Sequence, residues 1–326
     1  MAAPSSFPNG LRATIAICTY NGATRIGGVL RALAAQTRPE LMCEVLVVDN
    51  ASTDGTGDTS GRLIRELLAG GGRVVPEPLA GLSHARACAA REARGEIICF
   101  LDDDNLPDPD FVEQAVAAFR SHPQAGAVGG RVLPQWDSPP TPLAEAVAPF
   151  ALAICDQGPN PRRLDDPAGG IVGAGLCIRT DLLRRIFASP ALASSVTDRK
   201  GSNLISGGDL AICILARKTG WETWYIPSIQ IRHCLPPGRM EKKYLLRLYE
   251  GIGRGQAALR GIYDWKARTP LAWLIGLKDL FRWQLGNWRG PASGLRHQHP
   301  AIAGDLHDLH QVQTLGRARQ ALAWPR

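Results

Sequence analysis

The stretch that decides the fold begins at Glu96 and continues as Ile97-Ile98-Cys99-Phe100-Leu101-Asp102-Asp103-Asp104. A short apolar run bounded by polar residues is typical of a strand buried on both faces, as in a parallel sheet. The three carboxylates then lie at the carboxyl end of that strand, where open α/β sheets bind their ligands. Adjacent Asp side chains repel one another, and a cation such as Mg²⁺ or Mn²⁺ would relieve the repulsion. The alternative is a solvated acidic turn, since Asp is also common in turns and helix caps.

The composition is that of a globular protein with ample material for a core. The chain has 326 residues, of which 45% are hydrophobic and 21% are charged, as in ordinary folded domains. Its net charge of +7 resides in the part beyond Met240, and the preceding residues are nearly neutral. The eight cysteines show no CxxC pair and no zinc spacing, which favours free thiols in a reducing cytosol. Without a signal-peptide pattern or an apolar run of about 18 residues, we expect a cytoplasmic protein.

Strands and helices are predicted to alternate along the first hundred residues. Apolar runs predict strands at 13–19, 45–48, 74–75 and 97–101, and helical spacing predicts helices between them, the last over 82–92. This alternation is typical of right-handed βαβ units and of a mostly parallel, twisted sheet flanked by helices. The predicted fold class is therefore α/β.

The same patterns predict elements and loops in the middle of the chain. A helix is expected to open at Asp108-Pro109, and the prolines of 134–142 and the polar run 156–166 are interpreted as loops. A further strand is expected to end at Trp224-Tyr225-Ile226-Pro227, with His233 after it. No internal repeat or low-complexity run interrupts the pattern.

Polar side chains directly follow three of the predicted strands, and such strand ends converge on one crevice in a doubly wound sheet. They are Thr19, Tyr20, Asn21, Asp49, Asn50, Asp102, Asp103 and Asp104. A nucleotide would fit there, with Asp or Asn on the base edge and a metal ion on the diphosphate. Neither GxGxxG nor GxxxxGK[ST] follows the first strand, which argues against a dinucleotide-binding or P-loop site. Taken alone, Asp49 suits a turn cap equally well.

Three motifs resemble family 2 glycosyltransferases in order and spacing. They are Cys18-Thr19-Tyr20-Asn21, Val47-Val48-Asp49-Asn50 with Ser52 and Asp54-Gly55-Thr56, and Phe100-Leu101-Asp102-Asp103-Asp104, and Gly81-Leu82 with Ala85-Arg86 also fits the family. The resemblance spans about 12–235 and implies a GT-A fold, an inverting mechanism and a nucleotide-sugar donor. It implies a catalytic domain at 1–235, with a nucleotide-binding part at 12–105 and an acceptor-binding part at 106–235. Residues 236–326 would form a basic, helical extension.

The resemblance also implies roles for individual residues. The donor nucleotide would be contacted by Thr19, Tyr20, Asn21, Asp49, Asn50, Arg86, Asp102 and Asp103. Asp102 and Asp104 would be the DxD pair that holds Mg²⁺ or Mn²⁺, with His233 near the metal or the diphosphate. A lone His is more often structural. Two departures affect these contacts, because Ala87 stands where the family often has Asn, and Asn50 where many relatives have a second Asp.

Asp209 is the candidate general base. In Ser206-Gly207-Gly208-Asp209 it opens a predicted helix, where a carboxylate can simply cap the amides and complement the dipole. In the family this position holds the catalytic carboxylate, usually as Glu-Asp, and here Gly208 replaces the Glu. The small-residue run 169–175 resembles the segment that lies under the acceptor, although its glycines also suit tight backbone packing.

The basic extension has two interpretations. Residues 240–259 show helical apolar spacing with a basic face, and 271–288 place tryptophans and leucines on a broad apolar side. Basic amphipathic helices of this kind can lie on an anionic membrane, so peripheral contact through 240–289 at the inner face of the membrane is one interpretation. The other is a helix packed on the catalytic domain or a partner. The irregular His spacing of 297–310 predicts no metal site.

The resemblance thus implies transfer of a sugar from a nucleoside-diphosphate sugar to an acceptor hydroxyl, on a saccharide or a lipid-linked acceptor. A setting in surface polysaccharide or glycoconjugate synthesis is implied by the resemblance. Two alternatives stay open: a nucleotidyltransferase, which normally has a Gly-rich basic loop after the first strand, and a catalytically silent scaffold. No nucleic-acid partner is expected, because that would require a basic, aromatic exposed face.

Overall fold

A mixed sheet runs through the middle of the computed structural model, which describes residues 10–69, 71–166, 170–189, 198–200, 203–263 and 300–322. Its strands are β1 (Ala13–Thr19), β2 (Met42–Asp49), β3 (Gly72–Pro76), β4 (Ile97–Leu101), β5 (Asn105–Pro107), β6 (Ala125–Trp136), β7 (Arg162–Arg163), β8 (Cys177–Arg179) and β9 (Glu222–Leu235). The helices are α1 (Ile26–Ala34), α2 (Thr56–Leu67), α3 (Leu82–Glu92), α4 (Phe111–Ser121), α5 (Pro142–Ala151), α6 (Thr180–Ala188), α7 (Gly208–Lys218), α8 (Lys242–Tyr263) and α9 (Ala303–Leu322).

The first four strands form the predicted parallel half of the sheet. Their order is β3-β2-β1-β4, and every pair among them is parallel. All residues of β1 and β4 are buried, because α/β crossovers place helices on both faces of a parallel sheet. Register pairs Thr19 with Asp49 and Ile17 with Leu101, so the polar residues that follow β1, β2 and β4 emerge at one edge.

The second half of the sheet departs from the parallel pattern. Beyond β4 the order continues β8-β6-β9-β5, with antiparallel pairing at β4–β8, β8–β6 and β9–β5 and a parallel pair between β6 and β9. The proline-rich stretch predicted as a loop is partly regular, since β6 extends to Trp136 and α5 begins at Pro142. Thr141 caps that helix through its side chain, and proline is well tolerated at the first helical position.

The last strand is longer than the sequence pattern indicates. β9 does not end near Pro227 but continues to Leu235, so His233 lies inside the strand. It pairs with Pro134 of β6 on one side and Asn105 of β5 on the other. Tertiary pairing thus carries His233 to the acidic triplet.

The C-terminal helices pack on the catalytic part of the chain. Glycines of α8 lie against backbone carbonyls, Gly251 at Leu204 and Gly255 at Ser206, where a Cβ atom would overlap the oxygen. Lys242, on the predicted basic face, pairs with Asp305 at 2.6 Å and Asp308 at 2.8 Å in α9. Within residues 242–263, this packing agrees with the domain-packed interpretation.

The stretch 271–288 and the histidines before Pro300 lie outside the described residues. Among the helices that the structure describes, none has the length and apolar character needed to span a bilayer. Membrane contact through 240–289 therefore stays a prediction.

Close packing of α8 predicts a stability difference between two matched substitutions. Gly255→Ala adds a methyl group that overlaps the Ser206 carbonyl, whereas Gly304→Ala in α9 adds one where nothing lies within 4 Å. Both changes gain the same helix propensity. We expect Gly255→Ala to lower the free energy of unfolding by about 2 kcal/mol and Gly304→Ala not to lower it, as measured by urea denaturation. Equal effects would show that α8 does not pack as described.

Candidate active site

A cavity of about 380 Å³ opens at the carboxyl ends of β1 and β4. Six of the eight predicted donor contacts line it: Thr19, Tyr20, Asn50, Arg86, Asp102 and Asp103. The other two predicted metal ligands, Asp104 and His233, and the predicted base Asp209 line it as well. The walls come from the loops after β1, β2 and β4, the starts of α3 and α7, and the segment that joins β9 to α8.

Two predicted donor contacts are not among the residues that line this cavity. Asn21 accepts a hydrogen bond from the Thr53 amide at 2.9 Å, and Asp49 accepts one from the Ser52 amide at 3.3 Å. Both side chains thereby order the loop between β2 and α2. Contact of Asn21 or Asp49 with a nucleoside stays a prediction.

Asn50 has a structural reason to be an amide. Its Nδ2 donates to the carbonyl oxygens of Glu77 and Leu79 at 3.1 and 2.8 Å, and its Oδ1 accepts from the Gly81 amide at 2.7 Å. A carboxylate could not donate to the two carbonyls. Asn50 therefore fixes the segment that leads into α3, and an Asp at this position would leave two acceptors without this donor.

The three carboxylates of the triplet have different partners. Asp103 is held by Arg25 through two hydrogen bonds of 2.8 and 2.9 Å and by the Thr19 hydroxyl at 2.6 Å. Asp104 accepts from Arg239 at 2.8 Å and lies 3.6 Å from His233 Nε2. The Asp102 carboxylate accepts no hydrogen bond within the described parts of the chain. The Asp103 carboxylate is therefore engaged in structural contacts, whereas the Asp102 carboxylate is available to bind a ligand.

Burial and charge act oppositely on the two outer carboxylates. Burial raises the pKa of Asp102, and the neighbouring Asp104 adds to the shift. Burial also opposes ionisation of Asp104, but His233, Arg239 and Arg25 together hold its pKa at about 2. Asp104 is thus ionised, whereas the ionised form of Asp102 is disfavoured. A cation bound between the two carboxylates would stabilise the ionised form of both.

The donor set fits a divalent metal ion. His233 Nδ1 donates to the Leu152 carbonyl at 2.9 Å, which leaves Nε2 facing Asp104. A ligand histidine held by its other nitrogen is the usual arrangement in metal sites, and carboxylate oxygens suit Mg²⁺ and Mn²⁺. In the described residues no three such groups are already gathered around one point. Arg239 contributes the positive charge beside Asp104.

Asp209 and Arg86 both approach Gly173, since a Cβ atom on that glycine would lie 2.6 Å from Arg86 Nη2 and 3.3 Å from Asp209 Oδ2. The Asp209 carboxylate accepts from the Gly173 amide at 2.7 Å and from the Leu210 amide at 2.9 Å. Arg86 is 4% exposed and pairs through Nη1 with Asp198 at 2.6 Å. Burial raises the pKa of Asp198 to about 6, an effect that Arg86 opposes and Asp209 reinforces.

Several lining residues were missed by the sequence interpretation. Asp198 and Arg239 lie 112 and 135 residues away from their partners Arg86 and Asp104. Tyr244, in α8, also lines the cavity and lies under the Arg239 guanidinium at 6.0 Å. No local motif marks these residues, since Asp198 reaches the site through the binding of its segment to the start of α3, and Arg239 and Tyr244 through the packing of β9 and α8.

Two relatives with known names are glycosyltransferases. A glucosyl-dolichyl phosphate glucuronosyltransferase of Haloferax volcanii is 23% identical over 241 residues, which cover 72% of this chain and 73% of the relative. Glycosyltransferase AglE of the same organism is 26% identical over 244 residues, covering 74% and 72%.

A solved structure has a similar fold over nearly the whole chain. The mannosyltransferase PcManGT from Pyrobaculum calidifontis, in complex with GDP-Man and Mn²⁺, aligns with a TM-score of 0.58 at 20% identity, covering 97% of this chain and 88% of that one. This likeness shows the GT-A fold. The family model described as Glycosyl transferase family 2 matches residues 14–187. Because that model spans more than half of the chain, the protein belongs to glycosyl transferase family 2 and is a glycosyltransferase.

Proposed function

We propose that the protein transfers a sugar, with inversion, from a nucleoside-diphosphate sugar to a hydroxyl of a saccharide or lipid-linked acceptor. The observation that carries this proposal is the single cavity that Asp102, Asp104, His233, Arg86 and Asp209 share. A base, a cationic side chain and metal ligands in one cavity are what nucleophilic displacement of a diphosphate requires.

Each group has a separate task in the proposed reaction. Asp209 takes the proton of the acceptor hydroxyl as that oxygen attacks the anomeric carbon. The bond from this carbon to the diphosphate breaks on the opposite face, and the diphosphate leaves with the electron pair. Asp102, Asp104 and His233 would hold a divalent cation, which would supply Lewis-acid stabilisation of the leaving diphosphate. Arg86 adds positive charge on the same side.

The choice of acceptor rests on the names of relatives. One relative is named for glucosyl-dolichyl phosphate, a lipid-linked sugar, and this supports testing polyprenyl-phosphate-linked sugars before free saccharides. Family membership favours sugar transfer over nucleotidyl transfer. The silent-scaffold alternative predicts ligand binding with no turnover.

A donor screen tests the proposal directly. The purified full chain is incubated with UDP-glucose, UDP-glucuronic acid, UDP-N-acetylglucosamine or GDP-mannose and Mn²⁺ or Mg²⁺, and released UDP or GDP is measured. We expect slow release from one donor without acceptor, faster release with a polyprenyl-phosphate-linked sugar, and none after EDTA treatment. Release that EDTA does not affect would contradict the metal assignment. Release from no donor would contradict the proposed function.

A further inference from the structure

The Asp198 carboxylate occupies the space that the Cβ atom of any larger residue at position 208 would need. A Cβ atom at position 208 would overlap the Asp198 carboxylate, with Cγ at 2.9 Å, and would lie 3.2 Å from Arg86 Nη1. Gly208 is not among the glycines with positive φ. The backbone therefore permits any residue at 208, and the neighbouring carboxylate is what requires glycine.

Asp198 is tied to the same helix as the arginine that it pairs with. Its Oδ1 accepts from the Arg199 amide at 3.0 Å, and the Arg199 carbonyl accepts from the Leu82 amide at the start of α3 at 2.9 Å. Arg86 projects from α3 one turn further on. Both side chains of the pair are buried, with 5% of Arg86 and 6% of Asp198 exposed.

The second guanidinium nitrogen of Arg86 lies beside Gly173, whose amide contacts the base. Arg86 Nη2 would lie 2.6 Å from a Cβ atom on Gly173, and the Gly173 amide donates to Asp209 Oδ2 at 2.7 Å. The guanidinium thus spans the distance from Asp198 to the backbone that orients Asp209. A planar, always charged guanidinium suits such a bridge, and a buried charge of this kind needs an opposite charge beside it.

From this arrangement we propose that Asp198 is a positioning residue, which occupies the space beside Gly208 and supplies the carboxylate that pairs with Arg86. Asp198 holds the Arg86 guanidinium against Gly173. The position of this guanidinium then sets how the Arg86 charge and the Asp209 carboxylate are oriented toward the reacting groups. This inference rests on the proposed function. The inference also goes beyond the proposed function, because it assigns a role to a residue outside the sequence motifs. That residue, Asp198, lies in the segment before α7.

The inference is tested by removing the carboxylate at position 198 and introducing one at position 208, at the start of α7. Asp198→Ala should lower kcat by about 100-fold, because Arg86 loses its buried partner. The double variant Asp198→Ala/Gly208→Glu places a carboxylate on α7 in the vacated space and should return kcat to within about 10-fold of the wild type. The matched control Asp198→Ala/Gly208→Gln fills the same space without charge and should stay as slow as Asp198→Ala.

Melting temperatures separate positioning from folding. If the Glu and Gln double variants melt alike and only the Glu variant regains kcat, the charge and not the packing is responsible. If the Glu variant is no faster than the Gln variant, the inference is wrong. The isosteric Asp198→Asn provides a second test, since wild-type turnover in this variant would also overturn it.

Failure of the proposed function gives a different pattern. An Asp209→Asn variant that turns over normally would contradict the assignment of the base, whatever position 198 does. If Asp209→Asn is inactive but Asp198→Ala/Gly208→Glu does not regain kcat, only the role assigned to Asp198 is contradicted, and the proposed function stands. Calorimetric binding of UDP or GDP with Mn²⁺ to each variant shows whether the donor site itself is intact.

Discussion

Replacement of Asp209 by Asn is expected to lower kcat by about 1,000-fold, the middle of the range for loss of a general base. The amide keeps one oxygen to accept from the Gly173 amide, at 2.7 Å in the native protein, so the local backbone should keep its position. An amide cannot take the acceptor proton. Binding of UDP or GDP with Mn²⁺ should be unchanged by calorimetry, and turnover in the donor screen should be lost.

Asp181 provides the matched control for this variant. Like Asp209 it lies in the first turn of a helix, but it is exposed and pairs with Arg185. If Asp209 only complements a helix dipole, both Asn variants should lose a little stability and retain turnover. If Asp209 is the base, Asp181→Asn should retain full turnover. A wild-type protein that binds nucleotides but turns over nothing would support the scaffold alternative.

Substitutions within the acidic triplet should separate metal binding from stability. Asp102→Asn removes the carboxylate that accepts no hydrogen bond from the described residues, and we expect Mn²⁺ affinity in the presence of UDP or GDP to fall at least about 100-fold. This exceeds the usual loss from a residue that only supports a ligand. Asp104→Asn is a less specific test, because it also removes a partner of Arg239.

Asp103→Asn is the internal control. Asp103 is held by Arg25 and Thr19, so its replacement should cost about 1 kcal/mol of unfolding free energy, given that 42% of the Arg25 side chain is exposed. Mn²⁺ binding should persist. Titration calorimetry with Mn²⁺ and urea denaturation of both variants measure the two effects. Equal loss of Mn²⁺ binding in Asp102→Asn and Asp103→Asn would contradict the division of roles within the triplet.

Much of the parallel half of the sheet could be predicted, because the apolar runs that mark its strands are local features of the sequence. The run Ile97–Leu101 is apolar at every position, and a run this short is typical of a strand covered on both faces. Where local signals conflict, the prediction failed: the prolines of 134–142 indicate a loop, yet β6 continues to Trp136 beside β9 and a proline starts α5. Pairing with a neighbouring strand outweighs the local preference there.

By itself, the sequence determined the four parallel strands, their polar ends and the motifs of the family, since each depends on residues within a few positions of one another. Tertiary structure alone decided which charges meet. Arg239 reaches Asp104 because β9 pairs with β5, and Asp198 reaches Arg86 because its segment is bound to the start of α3. Such contacts join residues more than a hundred positions apart, and only the packed fold brings these charges together out of water.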